Sequence, residues 1–269
     1  MTEPHGFATM IDGCRIAWRM EGPQDAPVLI LSNSLGTAMA MWDRQVPLLS
    51  GRFRILRYDT RGHGASAVMP GGYSLDRLGR DVIELMDGLG IQTAHFCGLS
   101  LGGMTGQWLG VNVPERIGRL VIANSSSFMG PPQSWQQRMD LVRTQGMAAI
   151  AQAVLERWFT SGFIDEGGAG LDRTRAQLLD TSPDGYAGCC AAIRDMDLRP
   201  IIHLIDRPTL VIAGTMDPAT PPDHAKRIVA SIGGAQLVTL EAAHLSNIEQ
   251  PDIFTGALLN FLGQPDRAQ

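Results

Sequence analysis

The chain has 269 residues, 44% hydrophobic and 18% charged, with a net charge of −5. This balance fits one α/β domain carrying an insertion, excludes a disordered or fibrous protein, and offers no bulk attraction to nucleic acid or an anionic membrane. The four cysteines (Cys14, Cys97, Cys189, Cys190) lack metal-ligand spacing, Met1 to Gly6 lacks the regions of a signal peptide, and no run approaches the roughly 20 apolar residues of a membrane span; reduced thiols and a cytoplasmic location are expected.

Phe7 to Ile11 and Cys14 to Met20 flank Asp12-Gly13 and predict an antiparallel hairpin at a sheet edge. Val28 to Leu31 is a short apolar strand followed by the polar loop Ser32-Asn33-Ser34-Leu35-Gly36-Thr37. Phe53 to Tyr58 is the next strand and runs into Asp59-Thr60-Arg61-Gly62-His63-Gly64. Leu75, Leu78, Val82, Leu85 and Leu89 share one helix face, with Ser74 able to cap its start and Gly90 to end it. Thr93 to Cys97 reads as a buried strand, Met104 to Leu109 as a helix, and Leu120 to Ala123 as another buried strand. From Pro131 to about Arg199 the pattern is helical: Trp135 to Arg143, Met147 to Phe159, Asp172 to Leu179 and Tyr186 to Met196. Strand and helix then resume at Thr209 to Ala213, Pro222 to Ile232, Gln236 to Leu240 and Pro251 to Leu262. The alternation predicts an α/β fold with a mainly parallel sheet covered on both faces. Its core is expected over 1–125 and 200–269, with 126–199 inserted as a helical lid over the strand ends.

Gly98-Leu99-Ser100-Leu101-Gly102 lies between a predicted strand and a predicted helix and reads as a nucleophile elbow, a turn that presents the serine hydroxyl at its tip. Serine needs a histidine base, and that base needs a carboxylate to fix its tautomer and stabilise its protonated form. Of the six histidines, His5 falls in the N-terminal tail, His63 in a loop, and His95 beside the elbow strand, while His203 and His224 have nothing convergent in sequence. His244 follows the last strand and precedes the final helix, the place for a base reaching across the sheet edge. Asp217, directly after a buried strand and between serine and histidine in the chain, is the expected acid. It is also a residue type favoured in turns, and Asp195 and Asp197 are its rivals. The backbone N–H groups of Leu101 and Leu35 are the expected oxyanion donors.

The triad order, the elbow and the helical insertion resemble the α/β-hydrolase superfamily over nearly the whole chain. Ser32 to Thr37, Gly98 to Met104, Arg157-Trp158-Phe159-Thr160, Gly185 to Ala192 and Ala243 to Pro251 are similar to the 3-oxoadipate enol-lactonases. Two positions depart from the common pattern: Asn33 stands where many relatives carry the histidine of a His-Gly pair, and Thr215-Met216 precedes Asp217 where an acidic residue often stands. The resemblance implies hydrolysis of a small enol-lactone with a carboxymethyl arm, in aromatic degradation, with no metal or cofactor and no nucleic-acid or membrane partner. The carboxylate arm needs a cation, for which Arg138, three residues from Trp135 on one helix face, is the first candidate and Arg157 and Arg194 the alternatives. Trp158 and Phe159 are expected in the lid's own core. The same triad also suits a general carboxylesterase or a C–C bond hydrolase, and a non-enzymatic ligand sensor on this scaffold is a third alternative; haloalkane chemistry, which needs an aspartate at Ser100, is disfavoured.

Overall fold

The computed structural model describes residues 5–264; Met1 to Pro4, and the outer ends of the expected core segments, lie outside the described residues. Eight strands form one sheet in the order β1-β2-β4-β3-β5-β6-β7-β8: β1 (His5–Thr9), β2 (Arg15–Glu21), β3 (Val28–Ser32), β4 (Arg54–Tyr58), β5 (Ala94–Leu99), β6 (Ile117–Ala123), β7 (Thr209–Gly214) and β8 (Gln236–Leu240). The first two pairings are antiparallel and the other five are parallel. β3 and β7 are apolar and almost wholly buried, as strands covered on both faces must be, and β4 and β5 are nearly as buried, Arg57 of β4 being paired with Glu21.

The helices are α1 (Val46–Leu49), α2 (Leu75–Gly88), α3 (Leu101–Asn112), α4 (Pro132–Gln145), α5 (Ala148–Trp158), α6 (Ser161–Glu166), α7 (Ala169–Asp180), α8 (Pro183–Asp195), α9 (Pro222–Ser231), α10 (Ser246–Glu249) and α11 (Pro251–Leu262). Ser74 caps α2 by accepting from the Arg77 amide at 3.1 Å, while Ser182 caps α8 with Pro183 at its first position. No helix among the described residues is long and apolar enough to cross a membrane.

β3 lies between β4 and β5, so the chain leaves it towards one edge and, after β5, proceeds towards the other. The reversal opens a crevice at the carboxyl ends of β3 and β5. α4 to α8 form the helical insert between β6 and β7, and α4 packs along α8. The two ends of the insert meet, the Leu198 amide donating to the Ser127 carbonyl at 2.9 Å. Insert and sheet share one apolar core, to which Val142, Leu178 and Tyr186 contribute beside Leu31 and Phe96. The insert also touches the β4 loop backbone to backbone: a Cβ at Gly62 would stand 2.5 Å from the Gly185 Cα.

The hairpin begins earlier than the sequence predicts. His5 pairs with Arg19 in register, so it belongs to a strand and not to a tail. The turn is wider than Asp12-Gly13, because Gly13 donates to the Met10 carbonyl at 2.9 Å and Met10 to the Cys14 carbonyl at 2.8 Å, which removes Met10 and Ile11 from β1.

Candidate active site

β5 ends at Leu99 and α3 starts at Leu101, leaving Ser100 alone to make the turn at φ 58°, ψ −113°. A non-glycine residue held at positive φ is strained, and it persists only because its surroundings fix it. Here the Ser100 amide donates to the Ala123 carbonyl on β6 at 2.9 Å, and the Ser125 hydroxyl donates to the Ser100 carbonyl at 2.7 Å. The flanking glycines are set by close approach: a Cβ at Gly98 would lie 2.1 Å from the Gly102 carbonyl oxygen, and one at Gly102 2.3 Å from that of Ser32.

Asp217 follows β7 and is buried. Its Oδ2 accepts from His244 Nδ1 at 2.8 Å, from the Thr220 hydroxyl at 2.7 Å and from Asn124 Nδ2 at 3.0 Å. Its Oδ1 accepts from the amides of Ala219 at 2.8 Å and Thr220 at 2.9 Å. Burial alone would raise the carboxyl pKa, but the facing histidine and these donors outweigh it and hold the group below its ordinary value. The carboxylate therefore stays ionised against His244 Nδ1, which leaves Nε2 as the free basic nitrogen. The His244 loop is fastened to the insert, since the Leu245 amide donates to the Trp158 carbonyl at 2.9 Å and Glu249 accepts from both Ala243 and Thr160.

Ser34 and Leu35 close the opposite side, after β3. Neither the Leu35 nor the Leu101 backbone N–H donates to a protein group among the described residues, and Leu101 opens a helix, where first-turn N–H groups point outward. Asn33, at the histidine position of many relatives, clamps this loop: its Nδ2 donates to the Tyr58 carbonyl at 2.7 Å and its Oδ1 accepts from Trp42 at 3.0 Å. Its carbonyl accepts from the Gly102 amide at 3.0 Å, tying the loop to the first turn of α3. His63 adds a second clamp, its Nε2 accepting from the Gly36 amide at 2.9 Å.

Ser100, His244, Leu35 and Thr220 border one cavity of about 260 Å³. The insert supplies its other wall, with Trp135, Arg138, Arg157, Trp158 and Tyr186.

The family model described as the alpha/beta hydrolase fold matches residues 27–251. The 3-oxoadipate enol-lactonase 2 of Acinetobacter baylyi is 45% identical over 88% of this chain and 89% of its own length. Among solved structures, a hydrolase from Pseudomonas aeruginosa PA01 superposes with a TM-score of 0.95 at 49% identity, covering 98% of this chain and 100% of that one. The enol-lactonase from Burkholderia xenovorans LB400 does so with a TM-score of 0.94 at 43% identity, covering 96% and 100%. The chain belongs to the α/β-hydrolase fold family and to its enol-lactonase branch.

In this α/β hydrolase the sequence-predicted residues Ser100, His244, Leu35, Trp135 and Arg138 line one cavity, with Asp217 bonded to His244 and Leu101 following Ser100 at the start of α3. Of the alternative cations, Arg157 reaches the cavity; Arg194 does not, being paired with Asp195 at 2.7 Å and bonded to Gln136 at 2.6 Å. Asp195 and Asp197 are likewise engaged by Arg194 and Arg199 and have no part in the site. Trp158, expected inside the insert, walls the cavity, because the end of α5 turns back towards Gly36 and the His244 loop. Phe159 does remain in the insert, stacked on Phe163 at 4.7 Å. His224, without convergent neighbours in sequence, has its Nδ1 at 2.7 Å from the Ser126 hydroxyl.

Proposed function

We infer that the chain hydrolyses 3-oxoadipate enol-lactone to 3-oxoadipate through an acyl-enzyme. The observation that carries the substrate class is the cavity wall: Arg138 and Arg157 face the space beside Ser100, and neither forms an ion pair with an acidic side chain among the described residues. Guanidinium groups brought to an apolar wall without their own carboxylates suit a substrate that brings one. Arg138 also lies 4.9 Å from the Trp135 ring centroid, which holds its charge by a cation–π contact.

In this reading Ser100 Oγ attacks the lactone carbonyl while His244 Nε2 takes its proton, and the Leu35 and Leu101 N–H groups receive the oxyanion. Collapse of the tetrahedral intermediate breaks the ring C–O bond, and His244 returns the proton to the departing enol oxygen. The enol remains tethered to the acyl group, and its conversion to the ketone removes the nucleophile that would reclose the ring. Water, deprotonated by His244, then releases the acid and restores Ser100. Residues 126–199 act as the lid that shapes the pocket, residues 1–125 and 200–269 as the catalytic core, and the enzyme works in the cytoplasm on a small molecule.

Two variants test the reading. Ser100→Ala is expected to fold and to lose at least about a thousandfold in kcat; turnover near wild type removes Ser100 from the chemistry. Arg138→Ala is expected to raise KM for the enol-lactone about tenfold or more, as loss of a charge-assisted hydrogen bond does, while leaving p-nitrophenyl acetate within about twofold. An equal effect on both esters moves the carboxylate site elsewhere, and a wild-type preference for the neutral ester makes the chain a general esterase.

A further inference from the structure

Besides Ser100, Asn124 is the one non-glycine residue at positive φ among the described residues, at 41°. It follows β6 directly, on the strand beside β5, so the two strained residues occupy adjacent strand ends at the same sheet edge. Asparagine tolerates this conformation better than most residues, yet it still costs energy that something must offset. The backbone gives one reason, since the Asn124 amide donates to the Ile212 carbonyl of β7 at 2.8 Å.

The side chain gives the rest. Asn124 is 1% exposed. Its Nδ2 donates to Asp217 Oδ2 at 3.0 Å and to the Ala243 carbonyl at 3.2 Å. Its Oδ1 accepts from the Ser246 hydroxyl at 2.6 Å. Ala243 and Ser246 flank His244 in sequence, so one amide group touches the proposed acid and grips the loop of the proposed base on both sides. Each hydrogen of Nδ2 has a partner and Oδ1 has a donor, which an apolar or purely donating side chain of similar size could not reproduce.

We propose that Asn124 is the positioning residue of this site: it locks the β7 loop bearing Asp217 and the β8 loop bearing His244 into one unit, and as a donor to Oδ2 it limits how strongly the carboxylate holds the imidazolium. The proposal rests on the triad reading above. Oδ2 is the oxygen that His244 addresses, and a donor there competes for its charge. With the donor removed, Oδ2 keeps more of its charge for the histidine it faces. The other titratable or charged groups about the pair are His224 on α9, whose field meets that of Asp217, Glu249 on α10, which accepts from the Ala243 amide beside His244, and Arg138 and Arg157 on the cavity wall. None of these donates to the Asp217 carboxylate in the structure.

The test is the pH profile of kcat/KM. Asn124→Gly relieves the positive φ while deleting the amide; its kcat is expected to fall about tenfold, the scale of one buried charge-assisted bond, and the acidic limb of the profile to move upward. Asn124→Asp keeps an acceptor for Ser246 but sets a second carboxylate against Asp217, and its acidic limb is expected to move further up than that of the glycine variant. Acidic limbs that coincide with wild type in both variants, whatever the loss in Tm, overturn the proposal and leave Asn124 a merely structural residue. Asp217→Asn is measured alongside: wild-type activity there would remove the triad reading and the proposal with it, whereas a crippled Asp217→Asn beside unshifted Asn124 variants defeats the proposal alone.

Discussion

A histidine that accepts a hydrogen bond has to be neutral, and His63 is fixed in that state. Its Nε2 takes the Gly36 amide at 2.9 Å, its Nδ1 lies 3.3 Å from the Arg61 carbonyl, and burial pushes its pKa from 6.5 down to about 4. Since the unfolded chain protonates this side chain near pH 6.5 and the folded chain only near 4, the stability it contributes is complete above pH 6.5. That contribution declines as the pH falls between those two values, by about 3 kcal/mol in all. His63→Gln should therefore show a smaller fall in urea midpoint between pH 7.5 and 5 than wild type; equal falls would mean that His63 is not the group responsible. The sequence discloses His63 as a loop residue but not what it supports. Asn33 and Asn124 are harder still, because the residues they hold, Tyr58 in one case and Asp217, Ala243 and Ser246 in the other, are distant along the chain. Ser100, Asp217 and His244 are legible because residue type, chain order and a preceding or following element all constrain them together.

Among the elements, α8 does more than cover the cavity. Gly185 meets Gly62 so closely that an added Cβ would stand 2.0 Å from the Gly62 carbonyl oxygen, a clash with backbone that no rotamer relieves. Gly185→Ala should cost roughly 2 kcal/mol or more and raise KM, because α8 also carries Tyr186 on the cavity wall. An unchanged Tm and KM would show that the helix can shift freely. The long periodic helices and apolar strands are readable from spacing alone. The short α1, α6 and α10 are not: at four to six residues they span too few turns to show a face, and α6 depends on the Thr160 cap and on the bond from Thr160 to Glu249. β1 begins earlier than predicted for a related reason, since its burial alternates only between exposed and half-buried.

For the molecule as a whole, insert and sheet share one core and are expected to unfold as one cooperative unit. Single-tryptophan variants retaining Trp42, buried near the sheet's crevice loop, or Trp158, on the insert, are expected to report the same urea midpoint; separated midpoints would make the insert a domain of its own. The alternation of strands and helices reveals the parallel sheet and the place of the insertion, whereas the makeup of the cavity, with Trp158 turned inward and two arginines brought to one wall, depends on how the inserted helices pack. The hydrogen bond between Ser127 and Leu198 has an evolutionary corollary. Because the insert leaves and rejoins the sheet at a single point, a change of length within it need not move the ends of β6 and β7. The same helices nevertheless brace Gly62 and the His244 loop, so a lineage, or an engineer, that exchanges residues 128–197 to change what this enzyme accepts has to rebuild those braces to keep the bond-breaking apparatus in place.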